Sequence, residues 1–376
     1  MIKVMNILTD SNIGGAGRCL INYLKYRDRN RFSVTVVLPR GSLLIPELKD
    51  LDVSVVEADG IAERSFSLDA IGTLKKIIRK EKPVIVHTHG SLSGRIAARQ
   101  CGCKVIYTRH SAFPVPDYLK KGPGHWVNGA INNFFADGII AVSPACKENL
   151  TDSGVSEKKI TVMMNGVEPL IRSTPEDQEK LRTELGIPEG VFTAGILARL
   201  EPYKGHMLLL EAAKTLKQEG RDFRIIIGGS GSAESDIKKT IEELKLEDKV
   251  LFLGFVTNVP EILSILDVQL NCSYGTEASS IALIEGMSLG LATVASDYGG
   301  NPWQVDDEKT GLLFTSGNAR ALAEKVRRLM DDRALLRNLQ ENALAAYHSR
   351  FTGAIFAKNI ESVYEKTLGE TGGSHE

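Results

Sequence analysis

Two cations, Arg199 and Lys204, sit in the short run ARLEPYKGH (198–206), between an apolar stretch and a helix-like one. Arginine grips phosphate oxygens with a planar fork and lysine adds a mobile point charge, so the pair suits an anion with several phosphate oxygens. Two carboxylates, Glu277 and Glu285, are separated by the seven residues ASSIALI. Ser279 and Ser280 are good N-cap residues for a helix carrying Ile281, Leu283, Ile284 and Met287. The start of that helix offers amides and a positive dipole end beside Glu277, with Glu285 about two turns in. Such a set can hold a diphosphate and a polyhydroxylated group. Glu285, on an otherwise apolar helix, is costly to bury without a partner or ligand.

Two glycine-rich turns extend the pattern. Gly14, Gly15 and Gly17 lie in SNIGGAG (11–17), between the first apolar run and the first helical one. Gly229 and Gly231 lie in GGSG (228–231), after an apolar run of the second half. Glycines at such turns let backbone amides approach a phosphate. A dinucleotide fingerprint is excluded: GAGRCL (15–20) lacks its third glycine, and the second apolar run ends VLPR (37–40) with no acid to hold a ribose. No Gly-Lys-Ser/Thr follows GGSG, so a P-loop is excluded too. A plain strand–helix turn remains open for each.

Positioning these groups requires many short elements. Val- and Ile-rich runs at 4–8, 33–38, 53–57, 84–88, 104–108, 138–142 and 160–164 read as strands buried on both faces. A second series follows at 192–198, 223–228, 250–254, 267–271, 292–296 and 311–314. Helical patterns fall between them, at 15–26, 68–80, 144–153, 205–218, 233–244, 280–289, 319–330 and 333–348. Alternation of this kind predicts α/β domains with doubly wound parallel sheets and ligands at the C-terminal ends of strands. The expected organisation is an N-terminal domain over 1–170, a linker over 171–190, and a C-terminal domain over 191–350. A last helix over 351–368 returns toward the N-terminal domain, and a tail over 369–376 is disordered.

The 376 residues suit two such domains, and 43% hydrophobic with 25% charged is an ordinary globular balance. No apolar run is long enough to span a membrane and no signal-peptide pattern opens the chain, so a cytoplasmic enzyme is expected. The five cysteines are scattered and read as reduced thiols. His87 and His89 end a strand without a third metal ligand nearby in sequence, so no metal site is expected. Residues 1–170 carry 23 Lys and Arg against 16 Asp and Glu; the rest carry 23 against 31. The basic half holds Lys25, Arg27, Arg29 and Arg31, with Lys120 and Lys121 further on. This cluster reads as a peripheral contact with an anionic membrane surface, or as a solvated helix end. Nothing indicates nucleic-acid binding.

In their order, these motifs resemble the retaining family 4 glycosyltransferases, whose fold of two Rossmann-like domains facing a central cleft is called GT-B. The similarity covers nearly the whole chain and includes ADGIIAVS (136–143), MNGVE (164–168) and SDYGGNP (296–302). It implies transfer of a sugar from a nucleoside diphosphate, UDP favoured, to a lipid-linked or saccharide acceptor, with retention and without metal or other cofactor. It implies that Arg199 and Lys204 neutralise the diphosphate, Glu277 binds sugar hydroxyls, and Glu285 holds the ribose. It further implies that Ser279, Ser280 and Ile281 contribute amides, that the glycine turns approach the donor, and that His110 lies beside the sugar. Ser280 stands where the family often has glycine. A nucleotide-sugar epimerase of the same fold and a non-catalytic nucleotide-sugar-binding subunit are the alternatives.

Overall fold

The computed structural model describes residues 1–369; the expected disordered tail lies, beyond Gly369, outside the described residues. The described residues divide into two compact units, Met1–Val167 with residues 352–369, and Glu168–Phe351.

In the first unit seven parallel strands form one sheet in the order β3-β2-β1-β4-β5-β6-β7. They are β1 (Ile2–Leu8), β2 (Phe32–Pro39), β3 (Ser54–Ala58), β4 (Ile85–His89), β5 (Lys104–Arg109), β6 (Gly138–Ala141) and β7 (Ile160–Val162). The inner strands β1 and β4 are buried on both faces over most of their length, so apolar residues fill consecutive positions such as Ile7 and Leu8, and Ile85 and Val86. In the second unit six parallel strands take the order β10-β9-β8-β11-β12-β13. They are β8 (Phe192–Leu197), β9 (Phe223–Gly228), β10 (Val250–Gly254), β11 (Val268–Asn271), β12 (Ala292–Ser296) and β13 (Gly311–Phe314).

Each sheet reverses its winding once, between β1 and β4 and between β8 and β11. At such a reversal the loops leaving two neighbouring strands diverge to opposite faces and open a crevice at the C-terminal edge. The loop after β8 carries Arg199 and Lys204, and the loop after β11 carries Glu277. The topology therefore places two motifs that are distant in sequence beside one another.

Residues 171–190, expected as a linker, fold with the second unit. They contain the helix Pro175–Glu184, whose Arg182 donates to the carbonyls of Val191 (2.8 Å) and Ile265 (3.1 Å). This helix buries no side chain, so it lacks the apolar stripe by which a helix is recognised. The helix Gly353–Leu368 belongs to the first unit, where the amide of Gly353 donates to Val167 O at 2.9 Å.

The basic cluster is not the surface expected of it. Arg27 is only 4% exposed, and its guanidinium donates to the carbonyls of Leu24 (2.6 Å), Leu51 (2.8 Å) and Asp52. Arg31 pairs with Glu365. Lys25 and Arg29 are exposed, but the block of four solvated cations does not exist.

Candidate active site

In the second unit the loop after β8 is held by close backbone contact. Gly229 and Gly231 have φ of +148° and +156°, and a Cβ on them would stand 1.9 Å from Ala198 O and 2.5 Å from Leu200 O. The amide of Leu200 donates to Ser230 O at 2.9 Å, and that of Gly229 to Gly254 O at 2.7 Å. The glycines thus let two loops meet and set the base of Arg199; the Gly229 amide, expected to meet the donor, is already bonded. Gly205, at φ +77°, ends the turn Pro202–Lys204, and a Cβ there would lie 2.0 Å from Cys272 O. Only glycine lets this turn press against the end of β11.

That contact brings Lys204 to Glu277. Glu277 Oε2 accepts from Lys204 Nζ at 2.8 Å, from Asn271 Nδ2 at 3.1 Å and from Ser273 Oγ at 3.0 Å. All three bonds fall on one oxygen, and the side chain is turned by its fixed backbone: Glu277 O accepts from Gly300 N at 2.8 Å. Glu277 is 5% exposed, whereas Glu285 is only half-buried on the helix Ile281–Ser288. The burial cost assigned by sequence to Glu285 is therefore borne by Glu277, and Lys204 with two neutral donors offsets it. Arg199 is exposed, and its guanidinium stands 6.0 Å from the centre of the Tyr203 ring.

Ser280 caps the helix, accepting from Leu283 N with φ −75°, so no glycine is required. Its own amide, expected to meet phosphate, donates to Gln304 Oε1 at 2.7 Å, and Gln304 Nε2 returns a bond to Ser280 O at 2.9 Å. Ser279 Oγ is buried without a partner, and the amide of Ile281 lies in the helix's first turn, where no intrahelical acceptor exists. Asn271, Ser273 and Gln304 escaped the sequence reading. Each is a common polar residue whose role comes from a partner outside its own element.

In the first unit the glycine turn sorts itself by contact. A Cβ on Gly14 would lie 2.8 Å from Asp10 Oδ2 and one on Gly17 3.1 Å from Leu44 Cδ1. One on Gly15 would meet nothing within 4 Å, so Gly15 alone leaves its surface open. At the ends of β4 and β5 three histidines stack: His87 on His89 at 4.5 Å and His89 on His110 at 5.1 Å between centroids. His89 Nε2 lies 3.2 Å from Asn6 Oδ1 and His89 Nδ1 2.8 Å from His110 Nε2. With Asn6 Oδ1 accepting, His89 carries its proton on Nε2 and accepts from His110. His87 bridges Tyr364 OH (2.8 Å) and Thr108 Oγ1 (2.6 Å). His110 is thus the third histidine near the pair 87–89, yet the nitrogens bond to one another, and among the described residues no group of three His, Cys, Asp or Glu is placed to hold a metal ion.

Burial pushes His87 down to about 3, helped by His110, and His110 down to about 4; His89 is lowered well below its ordinary value. The folded rings stay neutral while the unfolded ones protonate below about 6.5. Stability from this stack is therefore full above that pH and is lost as pH falls toward about 4. The thermal midpoint of the first unit should drop between pH 7 and pH 4.5 (about those values bracket the window). An unchanged midpoint would show that the rings protonate in place.

Two family models match the chain: "Glycosyltransferase Family 4" over residues 13–169 and "Glycosyl transferases group 1" over residues 177–345. An Escherichia coli enzyme, UDP-Gal:alpha-D-GlcNAc-diphosphoundecaprenol alpha-1,3-galactosyltransferase, is 30% identical over 355 residues, covering 89% of each chain. The chain belongs to glycosyltransferase family 4. The glycosyltransferase is also 24% identical over 369 residues, 95% of each chain, to the N-acetyl-alpha-D-glucosaminyl L-malate synthase of Bacillus anthracis. Its fold is that of Anabaena HepE, crystallised with UDP and glucose, with a TM-score of 0.82 at 24% identity over 97% of this chain and all of that one. The two Rossmann-like sheets are those of the GT-B fold. The structure joins Lys204 to Glu277 directly; His110 is joined to His89 within the first unit.

Proposed function

We propose that the glycosyltransferase moves a sugar from a UDP-sugar to a hydroxyl of a lipid-linked saccharide, with retention and without a divalent metal, in polysaccharide or glycolipid assembly. The observation that carries this reading is the Lys204–Glu277 pair at the winding reversal of the second sheet. Oε2 takes all three of the carboxylate's donors, which leaves Oε1 for hydroxyls of the transferred sugar. Breaking the anomeric C–O bond builds positive charge on the sugar and negative charge on the diphosphate. Arg199, the remaining N–H bonds of Lys204 and the amide of Ile281 meet the second charge as it develops. Glu285 holds the ribose. In the first unit, Gly15 with its open surface and His110 are the candidates for donor recognition. The leaving phosphate oxygen takes the acceptor proton on the face it departs from, which gives retention without a protein nucleophile.

The name of the E. coli relative supports both UDP and a diphosphate-lipid acceptor. The malate synthase supports a second reading, in which the acceptor is a small hydroxyacid. Among the described residues no helix is long and apolar enough to cross a membrane.

The test is an assay of UDP-sugars with a detergent-dispersed polyprenyl-diphosphate saccharide and with malate, in excess EDTA, with NMR of the product linkage. Transfer to the lipid saccharide with the donor's anomeric configuration is expected. Restoration only by Mn²⁺, or an inverted linkage, would overturn the metal-independent retaining mechanism. An epimer formed from the UDP-sugar alone would identify an epimerase.

A further inference from the structure

The helix Gly122–Phe134 (GPGHWVNGAINNF) is inside out. Its polar face points into the first unit and is pinned there. Asn128 Nδ2 donates to Ser153 O at 2.6 Å, Arg95 donates to Asn132 Oδ1 at 2.8 Å, and Ser156 N donates to Asn133 Oδ1 at 2.9 Å. Gly129 lies so close to the Gly154 turn that a Cβ would stand 2.2 Å from Gly154 O. After Gly122, the exposed positions are Pro123, Trp126, Val127, Ala130 and Phe134, spaced as one helical stripe and wholly apolar. Trp126 is 73% and Phe134 66% exposed, and Tyr118, on the preceding short helix Asp117–Lys120, is 70% exposed. A soluble helix normally shows the opposite arrangement, and an apolar stripe left in water marks a contact surface.

We infer that this stripe docks the glycosyltransferase onto an anionic lipid surface, an inference that rests on the lipid-linked acceptor reading. Three features favour lipid over a protein partner. The stripe offers one hydrogen-bonding group, the Trp126 indole N–H, where a protein interface would need many. Its largest members are Trp126 and Phe134, with Tyr118 exposed on the helix before it, and Trp and Tyr are the side chains that settle at the headgroup level of a bilayer. Finally, residues 109–136 carry Arg109, Lys120 and Lys121 against one carboxylate, Asp117, which pairs with Lys120 at 3.4 Å. An uncharged stripe bordered by net positive charge matches an acyl boundary under anionic headgroups. The loop that leads from β5 to this helix leaves from His110, at the sheet edge where ligands bind, so a docked stripe would bring that edge to the membrane surface.

The experiment is sedimentation of the full chain with phosphatidylglycerol vesicles at low salt. Native protein should bind, and combined Trp126→Ser and Val127→Ser substitution should weaken binding by roughly tenfold or more, since burial of both side chains is lost. Because both side chains are exposed, the thermal midpoint should not move. In a Trp303→Phe background Trp126 is the sole tryptophan, and its emission should shift to the blue on vesicle addition. Combined Lys25→Glu and Arg29→Glu substitution should weaken binding less than loss of the stripe. Native protein that stays in the supernatant, an equal loss in the two variants, or a stripe variant that changes only self-association would overturn the inference. Transfer to the detergent-dispersed acceptor without vesicle binding would sink the docking surface alone. Vesicle binding without that transfer would sink the acceptor reading alone.

Discussion

Lys204→Ala should lower turnover by roughly 100-fold or more, as expected when a donor aimed at a developing charge is removed. It should also destabilise the second unit. Lys204 and Glu277 are mutually paired with side-chain exposures of 17% and 6%. Loss of the ammonium leaves the carboxylate buried with only Asn271 and Ser273, and breaking a pair of this kind costs about 3 kcal/mol. For a unit of this size that lowers the thermal midpoint by on the order of 5–10 °C. Arg199→Ala should show the same kinetic loss without the thermal one, because Arg199 is exposed and its described contact is the Tyr203 ring. Steady-state kinetics with calorimetric unfolding of the two variants checks the distinction, and equal midpoints would show that the Lys204–Glu277 pair contributes nothing to stability.

Glu277→Gln should fold and fail to turn over. The glutamine carbonyl can accept the bonds that Lys204, Asn271 and Ser273 now give to Oε2, so the local frame survives. The carboxamide nitrogen then occupies the position of Oε1. There it is a donor where sugar hydroxyls need an acceptor, and the charge that balances Lys204 is gone. Turnover should fall by on the order of 100-fold or more, while free UDP should bind as before by titration calorimetry. Glu277→Ala removes the acceptor altogether and should destabilise as Lys204→Ala does. Glu285→Ala should behave oppositely to Glu277→Gln, losing affinity for free UDP as well as for the donor. Equal losses of UDP affinity in Glu277→Gln and Glu285→Ala would refute the division between sugar and ribose.

The alternation of strand and helix was legible because each signal is local. The run 225–227 is isoleucine at every position, Ser143 before Pro144 caps a helix, and both features act through neighbours a few residues away. The helix Pro175–Glu184 was missed because it buries no side chain and so leaves no apolar period. The residue types at the site were legible for the same reason: cations, carboxylates and glycines in turns at strand ends announce anion binding whatever surrounds them. Which of them meet was not. Lys204 and Glu277 are 73 positions apart, and their contact depends on the reversal of winding between β8 and β11 and on a turn that only Gly205 can make. The burial of Glu277 rather than Glu285, the capture of the Ser280 amide by Gln304 and the withdrawal of Arg27 into the core are likewise settled by neighbours from other elements. So is the outward stripe of Gly122–Phe134. Periodicity reveals that a helix has an apolar side, but only packing decides that its asparagines bond inward and its tryptophan faces water, because the energy of each choice resides in contacts between segments.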